Sequence, residues 1–506
     1  MRGPSSSHCA ASVRIGRMAR DLMGGKLTDV LIEFHPDGSL ATTHESQGSD
    51  MGLFGGLLGW DAADERLVDS ATAIKRAGIN VEIKISQFEA DHPNTYKLTL
   101  KNQRETHEMI ALSTGGGIIE VIKIDGVEVS MAGDYFETLL YLNSENAKLV
   151  DFLNEKFVCD AVISHQKNRV NFVEIKAQHF PNEELLAQLK TKFNVRQIKK
   201  ISPVLPVLSR KDLTVPFLNC TEMLLCNQDE NLSLWELAVK YESARGNISK
   251  EQIFANMENI IGIMQNGIET GIRGTDFSDR ILGPQSGNFQ QQMQAGRLLD
   301  GGILNQIILY TTALMESKSS MQTIVAAPTA GSCGALPGAC LGTADALELP
   351  MEMRIKAMLA AGIIGVFIAE NATFAAEVGG CQAECGSGSA MAAAALVTLA
   401  NGSCKQAIDA ASMALQNTLG MICDPVANRV EVPCLGKNVI AASNALACAN
   451  MALANFDAVI PLDEVIETLD KVGKMLPAGL RCTACAGLSV TRTSKKIEAE
   501  LKRKVH

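Results

Sequence analysis

Residues 201–217 read ISPVLPVLSRKDLTVPF, with Pro203, Pro206 and Pro216 in quick succession. Proline fixes φ and removes a backbone donor, so this run suits neither a helix nor a central strand and reads as an extended linker. Ahead of it, hydrophobic residues alternate with a period of two. Val30, Ile32 and Phe34 share one face of a strand that ends at the Pro36-Asp37-Gly38 turn. Val81, Ile83 and Ile85 alternate with Glu82, Lys84 and Ser86 in the same way. Residues 118–124 and 127–129 flank Asp125-Gly126, a two-residue hairpin signal. Residues 65–77 and 136–157 read as amphipathic helices between the strands. Beyond the linker nearly everything has a helical period. In residues 462–476, for example, Asp463 can cap the start, and Val465, Ile466, Leu469 and Val472 form one stripe. The expected fold is multi-domain: N-terminal α/β (α+β) domains followed by an all-α C-terminal domain. The first half divides near residue 95 or 120.

A chain of 506 residues can bury two or three cores, and 46% hydrophobic with 20% charged residues is ordinary for a globular protein. A net charge of −10 speaks against a nucleic-acid partner. The most apolar run, 357–369, lies between Lys356 and Glu370 and is too short to span a bilayer, so it reads as a buried helix and no membrane partner is expected. The opening MRGPSSSH lacks the apolar core of a signal peptide. With fourteen cysteines, this implies a reducing, cytoplasmic setting without disulfides.

Cys381, Cys423 and Cys434 lie in GGCQAECG, MICDPV and EVPCLGKN, each beside a glycine or proline break. Their spacing admits core packing or metal ligation. Three thiolates can hold an iron–sulfur cluster and leave one iron open. Cys381-x₃-Cys385 with Cys482-x₂-Cys485 admits a closed zinc site instead, although 482–485 fits a helix. GPSSSH, residues 3–8, gathers three hydroxyls and an imidazole, yet short Gly/Pro/Ser stretches at a terminus are ordinarily unordered. Residues 113–117, STGGG, could bring backbone amides to an anion. Residues 327–334, APTAGSCG, form either a structural turn or a helix N-terminus that binds a carboxylate.

Taken together, GPSSSH, STGGGIIEVIKIDG, APTAGSCG, ENATFAAEVGGCQAE, CDPV and VPC resemble the iron–sulfur-dependent L-serine dehydratases (L-serine ammonia-lyases), β-type part first and α-type part behind it. The resemblance implies a 4Fe–4S cluster on Cys381, Cys423 and Cys434. It also implies domains of about 1–120 (catalytic α/β), 121–205 (small, substrate-binding or regulatory) and 206–506 (helical, cluster-binding), in a homodimer. The activity implied is conversion of L-serine to pyruvate and ammonia. Ser5, Ser6, Ser7 and Ser113, with the backbone near Thr329 and Gly331, would orient the substrate. His8 is the first candidate base and His44 the second, and Lys437 and Asn438 would support the cluster or substrate. The sequence departs from the family at several points. Cys9 stands where GPSSSHT has threonine, Ser389 where many members have cysteine, and Gln47 where a segment resembling TGKGHGTD has histidine. A related dehydratase of another small hydroxy acid and a non-catalytic amino-acid sensor with zinc remain the alternatives.

Overall fold

The computed structural model describes residues 1–3, 5–143, 147–205 and 207–505. Pro4 of the GPSSSH motif, Pro206 of the linker and residues 144–146 of the expected helix 136–157 lie outside the described residues. Two compact units form. One comprises Ala10–Ala41 and Ser49–Thr214; the other comprises Met1–Cys9, Thr42–Gly48 and Val215–His506.

The first unit contains two sheets. Six strands, β1 (Asp29–Phe34), β2 (Asn80–Ile85), β3 (Thr95–Lys101), β4 (Thr106–Gly115), β5 (Ile118–Ile124) and β6 (Val127–Met131), lie in the order β2-β1-β3-β4-β5-β6. Only β1 and β2 run parallel. Val30, Ile32 and Phe34 are buried, as their alternation requires, whereas β2 is an edge strand and leaves Ile85 exposed. Asp125 (φ 52°) and Gly126 (φ 77°) both take positive φ, the geometry that a two-residue type I′ hairpin needs. Residues 65–77 form a 3₁₀ turn, Glu65–Asp69, followed by the helix Ser70–Arg76.

A second sheet, β7 (Phe136–Tyr141), β8 (Ala161–Lys167), β9 (Val170–Ala177) and β10 (Gln197–Ile201), has the order β10-β7-β9-β8 and is wholly antiparallel. Helices Ala147–Lys156 and Glu183–Phe193 follow β7 and β9, which makes a split βαβ arrangement. The single helix expected over 136–157 is therefore wrong in its first third. Phe136–Tyr141 is a central strand buried on both faces: Leu140 faces the core of the two helices, while Leu139 and Tyr141 join the core of the larger sheet. Burial on both faces erases the two-residue alternation that marks a strand. The division expected near 95 or 120 also moves. β3 and β5 are integral to the first sheet, so the change of sheet falls between Met131 and Phe136.

No strand occurs among the described residues after β10, and the chain from Ile201 to helix Cys220–Cys226 is irregular, as the prolines require. In the helical unit, Ser387–Leu399 is buried along its whole length and packs against Ala335–Ala346, Met351–Asn371, Cys404–Gln416 and Cys434–Leu453. Alanines allow this, because a helix buried on all sides must keep its neighbours close. At one crossing the approach tolerates only glycine: a Cβ on Gly338 would lie 2.2 Å from Thr311 Oγ1. Val465, Ile466 and Leu469 are buried in helix Leu462–Met475. Asp463, however, caps a different helix from the one expected, because its carboxylate accepts the N–H groups of Cys220 (2.9 Å) and Thr221 (2.8 Å). No helix among the described residues is long and apolar enough to cross a membrane.

Candidate active site and metal centre

Cys381 stands where two helices fail to join. The short helix Ala376–Gly379 ends at Gly380 (φ 74°), and a π-helical turn, Gln382–Gly386, leads into Ser387–Leu399. Glu377 and Glu384 lie four residues before and three after Cys381, on either side of this break, and both line one cavity. Cys423 lies on an extended stretch whose N–H donates to Leu480 C=O at 2.8 Å and whose C=O accepts from Cys482 N–H at 3.1 Å. Cys434 is the first residue of helix Cys434–Leu453. The Cys381 and Cys423 sulfurs lie within 4.8 Å of one another, and Cys423 and Cys482 line one space. One cavity is lined by Ser5, His8, Glu377, Glu384, Cys423, Cys434 and Cys482.

The donor set suits an iron–sulfur cluster. Buried thiols favour soft metals, and all fourteen cysteines of the chain are free. Among the described residues, the only group of candidate donors lying mutually within 4.8 Å is Cys381, Glu384 and Cys423. A single zinc ion with four thiolates would draw all four sulfurs to within about 3.8 Å of one another, given Zn–S bonds of about 2.3 Å. A multi-iron cluster accepts a wider frame. The zinc site drawn from two cysteine pairs also fails at Cys485, which is exposed and donates to Thr483 C=O, while Cys482 is buried. The helix expected over 482–485 is absent, because Cys482 (φ 59°) and Ala484 (φ 58°) are left-handed. Contact with Cys381 and Cys482, then burial, raises the Cys423 pKa, and burial followed by Cys381 raises that of Cys434. A bound cation reverses this and holds thiolates deprotonated.

The acid–base groups face the same cavity. Helix Ser6–Leu22 begins inside GPSSSH, so Ser6, Ser7 and His8 stand in its first turn. Ser5 Oγ lies 2.7 Å from His8 Nδ1, and His8 Nε2 lies 2.7 Å from Glu377 Oε1, so both ring nitrogens are engaged. Burial alone would lower the His8 pKa, but the charge and hydrogen bond of Glu377, helped by Glu384, outweigh it and the net shift is upward. Burial pushes the Glu384 carboxyl up to about 7, against the Thr329 hydroxyl that donates to it at 2.7 Å. Gly331 is glycine for a local reason: a Cβ there would lie 2.5 Å from Glu384 Oε1.

The remaining expected site residues mostly brace this frame. Ser6 Oγ donates to Gly3 C=O at 2.9 Å, and Ser7 Oγ accepts from Ala330 N–H at 2.9 Å. Lys437 Nζ lies 2.9 Å from Asp424 Oδ1 and 3.9 Å from Cys381 Sγ. Burial works against its charge, but Cys381, Asp424 and Cys423 prevail and its pKa is raised. Asn438 is fully buried. Its Oδ1 accepts from Gly334 N–H (3.1 Å) and Ala335 N–H (3.0 Å), and its Nδ2 donates to Gly331 C=O (2.8 Å) and Cys434 C=O (2.9 Å). The helix N-terminus after APTAGSCG, read from the sequence as either a structural turn or a carboxylate site, is thus capped by a carboxamide from within.

His44 lies in the 42–48 turn of the same unit and is not among the residues that line the cavity. Ser113 lies in β4 of the sheet unit, where its N–H donates to Asn94 C=O at 3.1 Å. Residues 113–115 end β4 and Gly116-Gly117 make the turn to β5, with Gly115, Gly116 and Gly117 all at positive φ. Sequence reasoning missed Glu377 and Glu384 as site residues, and named Cys482 only as part of a zinc pair with Cys485. The available signal for the two glutamates was their place on either side of Cys381.

The serine dehydratase alpha chain family matches residues 229–489. The probable L-serine dehydratase alpha chain of Bacillus subtilis (strain 168) is 35% identical over 285 residues, 56% of this chain and 95% of that one. The probable L-serine dehydratase beta chain of the same strain is 29% identical over 208 residues, 40% of this chain and 94% of that one. L-serine dehydratase 2 of Escherichia coli (strain K12) is 27% identical over 502 residues, 96% of each chain. The chain belongs to the serine dehydratase alpha-chain family, in the single-chain form that carries the beta-like and alpha-like parts together.

Proposed function

We propose that the protein is an L-serine ammonia-lyase, which dehydrates and deaminates L-serine to pyruvate and ammonia with a 4Fe–4S cluster on Cys381, Cys423 and Cys434. The observation that carries this reading is the convergence of buried thiols with the Ser5–His8–Glu377 chain and Glu384 on one cavity. When bound, the cluster supplies a Lewis acid at an iron with an open corner, which makes the β-hydroxyl a better leaving group. The chain's own groups do the rest. Ser5 contacts the substrate, and Ser6 and Ser7 hold the loop that carries it. His8 Nδ1 receives the Cα proton, directly or through the Ser5 hydroxyl, and Glu377 stabilises the imidazolium that forms. Glu384, with a pKa of about 7, donates the proton that leaves with the hydroxyl. The aminoacrylate so formed tautomerises and hydrolyses to pyruvate and ammonia in water. Lys437 and Asn438 keep the cysteine-bearing segments in register. The proposal includes a cytoplasmic homodimer; free cysteines throughout the chain support the reducing compartment.

The test is pyruvate release from L-serine by protein purified without oxygen and reconstituted with iron and sulfide. Turnover that disappears together with the bound iron in Cys423→Ala supports the reading. An intact cluster with no turnover on L-serine would overturn the substrate assignment, and iron-free protein that turns over would overturn the cofactor.

A further inference from the structure

The joint between the two sheets of the first unit holds a cleft of about 710 Å³, within the size range of small-molecule sites. Lys26, Arg104 in the β3–β4 turn, Lys190 in helix Glu183–Phe193, and Lys199 and Lys200 in β10 line it. Asn102 fixes one wall: its Oδ1 accepts from Arg104 N–H (2.8 Å) and Glu105 N–H (3.0 Å), and its Nδ2 donates to Lys26 C=O (2.9 Å). Charge in the cleft is unbalanced, because each of its three carboxylates is already engaged. Glu105 takes the Lys199 ammonium (2.7 Å) and the Gln197 amide, Glu183 takes Lys200 (2.9 Å), and Asp21 accepts from Ser202 N–H (2.9 Å). Lys26, Arg104 and Lys190 are exposed, and among the described residues none has a carboxylate within 4.0 Å. Arg196 is in the same position and lines an adjoining cavity of about 570 Å³ that shares Arg104, Glu105 and Gln197. Four uncompensated cations thus gather on a chain whose net charge is −10.

An amino acid fits this cleft poorly, since no carboxylate is left to take its ammonium group. A phosphate group carries about two negative charges at neutral pH and offers three acceptor oxygens, which matches cations without a counter-ion. The volume leaves room for more than inorganic phosphate, and Met23, Leu186 and Ile198 add apolar groups to the lining. We propose that the cleft binds a small organic phosphate, with the phosphate held by Arg104 and Lys190 and the organic body lying along Leu186 and Ile198. The ligand bridges helix Glu183–Phe193 and β10 to the β3–β4 turn. A nucleotide and a sugar phosphate share this chemistry. The site lies wholly in the first unit and stands independently of the cluster reading given above.

The test is isothermal titration calorimetry of the full-length protein, reconstituted without oxygen, with adenosine monophosphate, glucose 6-phosphate and phenyl phosphate. Inorganic phosphate and L-serine are the comparison ligands. At least one ester should bind saturably, and more weakly as salt is raised; the tighter of the first two identifies the source. Arg104→Gln and Lys190→Gln should each weaken that binding roughly tenfold, the scale expected for loss of one charge-assisted hydrogen bond. Lys250→Gln, in the helical unit, should leave it unchanged. The variants alter exposed side chains, and circular dichroism checks that they fold. No saturable binding of any ester would overturn the proposal, as would binding that Arg104→Gln and Lys190→Gln both leave unchanged. Inorganic phosphate binding as tightly as the esters would overturn the organic body. L-serine binding that is weakened by the same two variants would overturn the phosphate.

Discussion

Glu377→Gln removes one negative charge from beside His8 and leaves the volume of the side chain nearly unchanged. The His8 Nε2–Glu377 Oε1 separation is 2.7 Å and both side chains are buried, so solvent screens the pair weakly. A hydrogen bond to a charged partner contributes about 1.5–3 kcal/mol. Its loss should lower the His8 pKa. Burial, which Glu377 outweighs in the native protein, then acts with only Glu384 against it. Glu377 also helps to raise the Glu384 pKa, so both groups shift the same way. The bell-shaped dependence of kcat/KM on pH should therefore move as a whole toward acid, and kcat at its maximum should fall because the imidazolium loses its partner. Stability gives an independent check. The raised His8 pKa contributes stability that is present in full below the unfolded value of about 6.5 and is lost as pH rises through the folded value. The Tm deficit of Glu377→Gln should then shrink with rising pH. The assay is initial-rate pyruvate release across the neutral range, with iron content matched to wild type. A pH profile that keeps its position would refute the coupling of His8 to Glu377 in catalysis.

Gly331→Ala should displace the Glu384 carboxylate from Thr329 and lower kcat by roughly 10²-fold, the scale expected when a proton-transfer group is lost, with iron content unchanged; retained kcat would argue against Glu384 as the acid. Lys437→Met leaves Asp424 buried and unpaired beside the cysteines, a change that should cost about 3–5 kcal/mol in denaturant unfolding. Asn438→Ala removes its bonds to the Gly334 and Ala335 N–H groups and to the Gly331 and Cys434 carbonyls, and urea denaturation should register a loss of about 1–3 kcal/mol. Cys423→Ala should abolish iron binding and turnover together; iron retained at the wild-type level would remove Cys423 from the centre.

The sequence by itself determined the broad plan. The prolines of residues 201–217 separated an α/β half from a helical half because proline excludes both ladders, and the Asp125-Gly126 hairpin followed from the positive φ that only such residues take readily. Strands with one buried face were legible from their alternation, whereas β7, buried on both faces, looked helical. The motifs named the cysteines and His8, since local residue types carry that information. What they did with their neighbours was decided by tertiary structure alone. Residues 1–9 and 42–48 join the helical unit across more than 160 intervening residues, and that placement puts His8 on Glu377 and Gln47 on Cys482. Asp463 capping a distant helix, Asn438 occupying the amides after APTAGSCG, and Cys482 facing Cys423 are contacts between segments far apart in the chain. Sequence spacing reports which side of an element a residue occupies; only the packed chain fixes which groups meet there.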